Sequence, residues 1–118
     1  MRKTNASEEE RLRRDFERFA DLPFPKLPDR EDLDEASIDL LELDGFIAGK
    51  VLRSLNGNMS DWDLTELRRS YDDLTIICDR LKEATSSTSG ESEVVLRLEN
   101  YACLLRDLAE QALRMHGK

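Results

Sequence analysis

Apolar residues recur every three or four positions along most of this chain, which is the spacing that places them on one face of an α-helix. Residues 21–30 break the pattern, because they hold all three prolines of the sequence, which exclude a helix and favour an extended strap. The pattern predicts a short N-terminal helix and three long helices, over residues 7–20, 31–56, 60–84 and 92–116. Since the connections are short, we expect an all-α antiparallel helical bundle that forms one domain over residues 1–118.

The second predicted helix is apolar over more of its circumference than a surface helix needs. On a helical wheel its apolar arc is more than about 200° wide, whereas a helix that packs on one side of a core needs about 100°. Ile38, Leu41 and Leu52 lie at one side of this arc and widen it. We therefore expect this helix at the centre of the bundle between two neighbours, or at an interface with a partner.

Asp44 lies inside the apolar arc of the second helix. A buried carboxylate is costly unless it is paired or hydrogen-bonded. We expect it to accept a bond from Tyr71, Tyr101, Trp62 or an arginine on a neighbouring helix. The alternative is a carboxylate that contacts a ligand, since perturbed carboxylates concentrate at functional sites.

Gly45 and Gly49 form a G-x-x-x-G motif in the interior of the same helix. Each glycine costs about 1 kcal/mol relative to alanine there. Their presence predicts close approach of another part of the same chain, with contact between two subunits as the alternative. Phe46 lies on the otherwise polar side, and we expect it to contact the first helix, the strap or a second subunit.

Further apolar side chains fall outside the core stripes of the third and fourth helices. Single exposed apolar residues are ordinary, but several on neighbouring helices favour an interface patch. The candidate interaction residues are Asp44, Gly45, Phe46, Gly49, Trp62, Ile76 and Leu96.

The chain is acidic, with a formal net charge of −8 over 118 residues. Residues 21–60 contain nine acidic and four basic side chains, a local charge of −5. This balance argues against nucleic acid and against anionic membranes as partners, because both need a basic surface. The sequence has no secretory signal, no apolar run long enough to span a membrane, and two cysteines without a CxxC motif. We therefore expect a cytoplasmic protein.

Candidate catalytic chemistry is sparse in this sequence. The single histidine, His116, lies near the C-terminus, and neither GxGxxG nor GxxxxGK[ST] occurs, so we predict no catalytic residues, metal ligands or cofactor. The best enzymatic alternative is an all-helical, Mg²⁺-dependent nucleotide pyrophosphohydrolase, which needs acidic pairs one helical turn apart. Pairs with this spacing are Asp32 with Glu35, Asp39 with Glu42, and Asp63 with Glu66. The helical wheel places the first two pairs opposite the core stripe, where a solvated acidic face is expected.

Together these features favour a small, acidic, cytoplasmic protein-protein interaction or regulatory module without catalytic activity. We expect it to self-associate, as a homodimer, or to bind another protein. Two alternatives remain open at this stage. One is the Mg²⁺-dependent hydrolase, and the other is an acidic inhibitor or immunity-type protein that occupies a basic partner.

Overall fold

A computed structural model describes residues 6–86 and 92–116, and the side chains of residues 7–85 and 93–116. Within these ranges the chain forms four helices and no strand. The helices are α1 (Ala6–Ala20), α2 (Asp34–Leu55), α3 (Asp61–Ser86) and α4 (Ser92–His116). Consecutive helices run antiparallel and pack into an elongated bundle of 54 × 25 × 20 Å. The predicted all-α bundle is therefore confirmed, and the one difference in its outline is a 3₁₀ turn, Glu31–Leu33, that leads into α2.

The core is built from aliphatic side chains that all four helices contribute. Burying a side chain such as leucine or valine stabilises the fold by about 1.5–3 kcal/mol, so this core, rather than helix propensity, holds the bundle together. The largest completely buried side chains are Leu12, Leu40, Ile47, Val51, Leu67, Leu74, Leu81, Val95, Leu98 and Leu105.

The central helix of the bundle is α4, not α2. Helix α4 packs against all three others, and its interface with α3 is the most extensive in the molecule. Helix α2 packs on α3 and α4 and makes a smaller contact with α1. Only part of its wide apolar arc is covered, because Ile38, Leu41 and Leu52 remain exposed. The two expected neighbours, α3 and α4, thus account for only part of the arc, and an interface with a partner over the rest stays a prediction.

Helix α2 ends in a glycine-dependent cap. Gly57 has a positive φ of 75°, a left-handed conformation that glycine adopts without a steric penalty. Its N–H donates to the carbonyl of Ser54 at 3.2 Å, and the N–H of Asn58 donates to the carbonyl of Arg53 at 2.9 Å. These two bonds form the Schellman motif, which satisfies the last carbonyls of α2 and turns the chain towards α3.

The proline strap between α1 and α2 is extended and lies across the bundle. Phe24 is partly buried, and its ring centroid is 5.0 Å from that of Tyr101 on α4. Pro28 is buried, whereas Leu22 and Leu27 remain exposed. The strap thus attaches to the bundle mainly through Phe24 and Pro28.

Candidate interaction surfaces

Tyr101 and Asp44 form a polar contact at the junction of several elements. The Tyr101 hydroxyl on α4 donates to Oδ1 of Asp44 on α2 at 2.8 Å. The Tyr101 ring packs between Phe19 of α1, at 4.7 Å between centroids, and Phe24 of the strap. Burial, and then the hydrogen bond to the Asp44 carboxylate, raise the pKa of Tyr101. The predicted hydrogen-bond partner for Asp44 is confirmed, and the pair joins α1, the strap, α2 and α4.

The two glycines of α2 do not mark a close contact within the chain. A Cβ atom added to Gly45 or Gly49 would meet no atom of a neighbouring element within 4 Å. Both residues are exposed. The predicted close approach of the same chain is therefore wrong at both positions. Contact with a second subunit stays a prediction.

These glycines belong to a surface that we call the outer face of α2. Its large side chains are half-exposed aliphatic residues, and its middle consists of small residues. The face extends over about 21 Å of the helix, at 1.5 Å per residue. It consists of Ile38, Leu41, Gly45, Ala48, Gly49 and Leu52.

A second surface is an open groove between α2 and α3, with a volume of about 630 Å³. Its apolar part includes Ala36, Leu43 and Phe46 of α2 and Ile76 and Ile77 of α3. Phe46 and Ile76 are 41% and 60% exposed, so they form the accessible apolar surface of this groove. Phe46 faces this groove, and the Lys50 ammonium group lies 5.1 Å from the centroid of its ring. Contact of Phe46 with a second subunit stays a prediction.

Acidic side chains border the same groove on both helices. Glu35, Asp39 and Glu42 of α2 lie on one side and Asp73 of α3 on the other. Arg80 is the single basic residue among the lining side chains, and its guanidinium also donates to the backbone carbonyl of Asp32 at 3.2 Å. Four carboxylates and one guanidinium leave the groove with a charge of −3. Glu35, Asp39 and Glu42 are exposed, as predicted for a solvated face, and they also form one wall of a groove.

An ionic cluster joins α2 to the start of α3, and the sequence pattern did not predict it. Lys50 Nζ lies 2.6 Å from Asp63 Oδ1 and 2.8 Å from Glu66 Oε1. Arg53 and the hydroxyl and N–H of Ser60 donate to Asp63 Oδ2. Lys50, above all, holds the pKa of Asp63 well below its usual range, and Asp63 raises the pKa of Lys50. One signal in the sequence was Ser60, which is three residues before Asp63 and forms a reciprocal cap with it.

This cluster bears on the proposed Mg²⁺ chemistry. The carboxylates of Asp63 and Glu66 both contact the Lys50 ammonium group, which takes the position that a cation would need between them. Two other acidic pairs have the one-turn spacing that such Mg²⁺ chemistry needs, Asp32 with Glu35 and Asp39 with Glu42. Within the described ranges, the structure contains no group of three or more histidine, cysteine or acidic side chains arranged to hold a metal ion.

Trp62 and Leu96 lie outside both surfaces. Trp62, in the first turn of α3, is 63% exposed, and Leu96 is half-exposed on α4. Neither lines the groove between α2 and α3. Of the candidate interaction residues, the structure thus groups Gly45 and Gly49 on the outer face and Phe46 and Ile76 in the groove.

Two further side-chain contacts connect helices. The hydroxyl of Ser54 on α2 is 2.7 Å from Nε2 of His116 on α4, so the single histidine is held by the fold although it lies near the C-terminus. Ser54 is buried, whereas His116 is only partly buried. The thiols of Cys78 and Cys103 contact each other between α3 and α4, and burial is the main cause that raises the pKa of Cys78 to about 12. The Cys78 thiol therefore stays protonated and packs as a core residue.

Comparison with known proteins assigns no function to these surfaces. The chain matches no family model, no curated protein and no solved structure. In the part of the chain that the structure describes, none of the helices combines the length and apolar character that crossing a membrane requires.

Proposed function

We propose that this chain is a non-enzymatic protein-interaction module that self-associates as a homodimer through the outer face of α2. The observation that carries the proposal is the spacing of the exposed apolar residues. Ile38, Leu41, Gly45, Ala48 and Leu52 follow one another at intervals of three, four, three and four residues. This is the heptad spacing of residues that form the seam between two packed helices.

The composition of the outer face suits contact between two copies of the same helix. Ile38 and Leu41 lie at one end and Leu52 at the other, with small residues between them. Small residues at a crossing point let two backbones approach closely, and the larger side chains then pack on either side. A twofold axis near Gly45 would bring each aliphatic end of one helix against the opposite end of its partner.

Charge favours an antiparallel arrangement of the two α2 helices. The first half of α2 carries Asp34, Glu35, Asp39, Glu42 and Asp44, whereas its basic residues, Lys50 and Arg53, lie in the second half. A parallel pair would set two acidic halves side by side. The antiparallel pair separates them, and like-charge repulsion is therefore smaller.

The experiment is a measurement of molar mass in solution over a wide concentration series, by sedimentation equilibrium or light scattering. The wild-type mass should rise towards that of a dimer, and Leu41→Glu should shift the protein to monomer, because a carboxylate would be buried in the seam. Leu104→Glu is a matched control, since Leu104 on α4 is 46% exposed and Leu41 is 49% exposed. A wild-type monomer at every concentration, or an equal effect of Leu104→Glu, would contradict the proposal.

No specific observation favours the Mg²⁺-dependent pyrophosphohydrolase. Its acidic pair at Asp63 and Glu66 is occupied by the Lys50 ammonium group, and the carboxylates of α2 are spread along a groove wall rather than gathered around a point. The remaining alternative, an acidic protein that occupies a basic partner, is favoured by one observation, the charge of that groove.

A further inference from the structure

The groove between α2 and α3 combines features that a purely solvated surface would not need. Phe46 and Ile76 present apolar side chains to solvent from the two helices, and the buried residues Ala36 and Ile77 also line the groove. The carboxylates of Asp39 and Asp73 come from opposite helices. The α2 side of the groove is acidic, whereas on the α3 side the carboxylate of Asp73 is offset by Arg80. An accessible apolar strip beside an acidic wall is complementary to a ligand that is apolar on one side and basic along an edge.

We propose that this groove binds an amphipathic α-helical segment of a partner protein, with apolar anchors on one face and lysine or arginine residues beside them. The surface is separate from the outer face of α2, because the two share no residue. The proposal therefore stands whether or not the chain forms a homodimer.

The length of the groove matches a short helix. Its lining residues on α2 run from Glu35 to Phe46, a distance of about 17 Å along the helix axis, or three turns. Those on α3 run from Ser70 to Arg80, which covers about 15 Å. A helix that lies in such a groove presents anchors at positions i, i+3 or i+4, and i+7, which span about two turns and fit within this length. Phe46 and Ile76 are the groove residues that such anchors would contact.

The charge of the groove determines which kind of partner helix can bind in it. Glu35, Asp39 and Glu42 are spaced i, i+4 and i+7, so they form one continuous acidic edge on α2. The groove charge is −3 and the chain charge is −8, which repels acidic segments and favours lysine and arginine. A second copy of this acidic chain is a poor occupant for the same reason. Arg80 lies at one end of the groove, and at the other end the Lys50 ammonium group is 5.1 Å from the centroid of the Phe46 ring. The basic residues of the bound helix should therefore be concentrated between these ends, beside Asp39, Glu42 and Asp73.

The test uses synthetic peptides as probes and the full chain as receptor. One labelled peptide carries leucines with amphipathic helical spacing flanked by lysines, a second has the same composition in scrambled order, and a third has glutamate in place of lysine. Binding is measured by fluorescence anisotropy. We expect the first peptide to bind and the other two to bind at least about tenfold more weakly, a difference of about 1.4 kcal/mol.

Variants of the receptor then locate the binding surface. Phe46→Ala with Ile76→Ala should weaken the first peptide about tenfold or more, and Asp39→Asn with Asp73→Asn should weaken it further. Leu96→Ala with Leu104→Ala, which removes two exposed leucines of α4, is the matched control and should change the affinity little. Circular dichroism confirms that each variant is folded, which is expected because Phe46 and Ile76 are exposed.

The possible results separate this proposal from the homodimer. Loss of peptide binding in the groove variants without a change in molar mass supports the groove as an independent site. Equal binding of the scrambled or the glutamate peptide, or unchanged binding by the Phe46→Ala, Ile76→Ala variant, would overturn it. A loss of peptide binding in Leu41→Glu alone would place the site on the outer face of α2 and would also overturn it.

Discussion

At the scale of single residues, Tyr101 of α4 connects its own helix to α1, the strap and α2. Its ring packs between Phe19 and Phe24, and its hydroxyl donates to the Asp44 carboxylate. The carboxylate thereby gains a partner inside an otherwise apolar arc, which removes the cost of leaving it unpaired. The sequence predicted that Asp44 needs a partner and named Tyr101 among the candidates. Which of these candidates is the actual partner depends on the packing of α4 beside α2, which places the Tyr101 hydroxyl next to Asp44.

Replacing Tyr101 with phenylalanine should destabilise the fold although the ring remains. The expected loss is about 1–3 kcal/mol in the free energy of unfolding, because the partly buried Asp44 carboxylate loses its donor. Urea denaturation followed by circular dichroism measures it. Tyr71→Phe is the control, since Tyr71 is partly exposed and lies outside this junction. An equal loss in both variants would show that the bond to Asp44 contributes nothing specific.

At the scale of elements, α2 presents apolar residues to solvent on two of its sides. Its outer face carries Leu41 and Leu52, and its groove side carries Phe46. The G-x-x-x-G motif lies on the outer face, where the chain itself provides no contact. The third glycine near α2, Gly57, has a different role, because its positive φ ends the helix.

Alanine substitutions should separate these two roles of glycine. Gly49→Ala should stabilise the monomer by about 1 kcal/mol, because alanine is the better helix former and its Cβ has open space. Gly57→Ala should destabilise it by about 1–2 kcal/mol, because a left-handed residue then carries a Cβ. Thermal or urea unfolding at low protein concentration measures both.

The same variants also test the homodimer. A methyl group at position 49 would hold two α2 backbones apart, so Gly49→Ala should weaken self-association even though it stabilises the monomer. Gly57→Ala is the control, because Gly57 lies beyond the outer face. A Gly49→Ala chain that dimerises as well as the wild type would remove Gly49 from the interface.

At the scale of the whole molecule, the two surfaces of α2 differ in the interactions that they offer to a binding partner. The outer face is aliphatic, whereas the groove combines an apolar strip with a charge of −3. A net charge of −8 adds a field that attracts basic ligands to the entire molecule. The two proposals therefore assign apolar contact to the outer face and electrostatic attraction to the groove.

Salt should weaken peptide binding in the groove but should not weaken the homodimer. Raising the ionic strength from about 0.1 to 1 M shortens the Debye length from about 10 to 3 Å, so the lysine-rich peptide should bind the groove several-fold more weakly. The homodimer should be unchanged or strengthened, because apolar contact dominates its seam and repulsion between two acidic chains is screened. Anisotropy and molar mass, measured on the same salt series, give both results. A salt-insensitive peptide affinity would contradict the electrostatic part of the groove proposal.

The sequence alone determined the features that depend on residues close together along the chain. Helical periodicity, the proline strap, the cap at Gly57 and the acidic charge are properties of local spacing and composition, so the four helices and their all-α class followed from them. Tertiary structure decided what each helix face meets. It left Leu41 exposed, opened the space beside Gly49 and brought Lys50 between two carboxylates, because these outcomes depend on which helix lies beside α2 and at what angle. It also turned an acidic helix face into the wall of a groove, since only the neighbouring α3 supplies the other side.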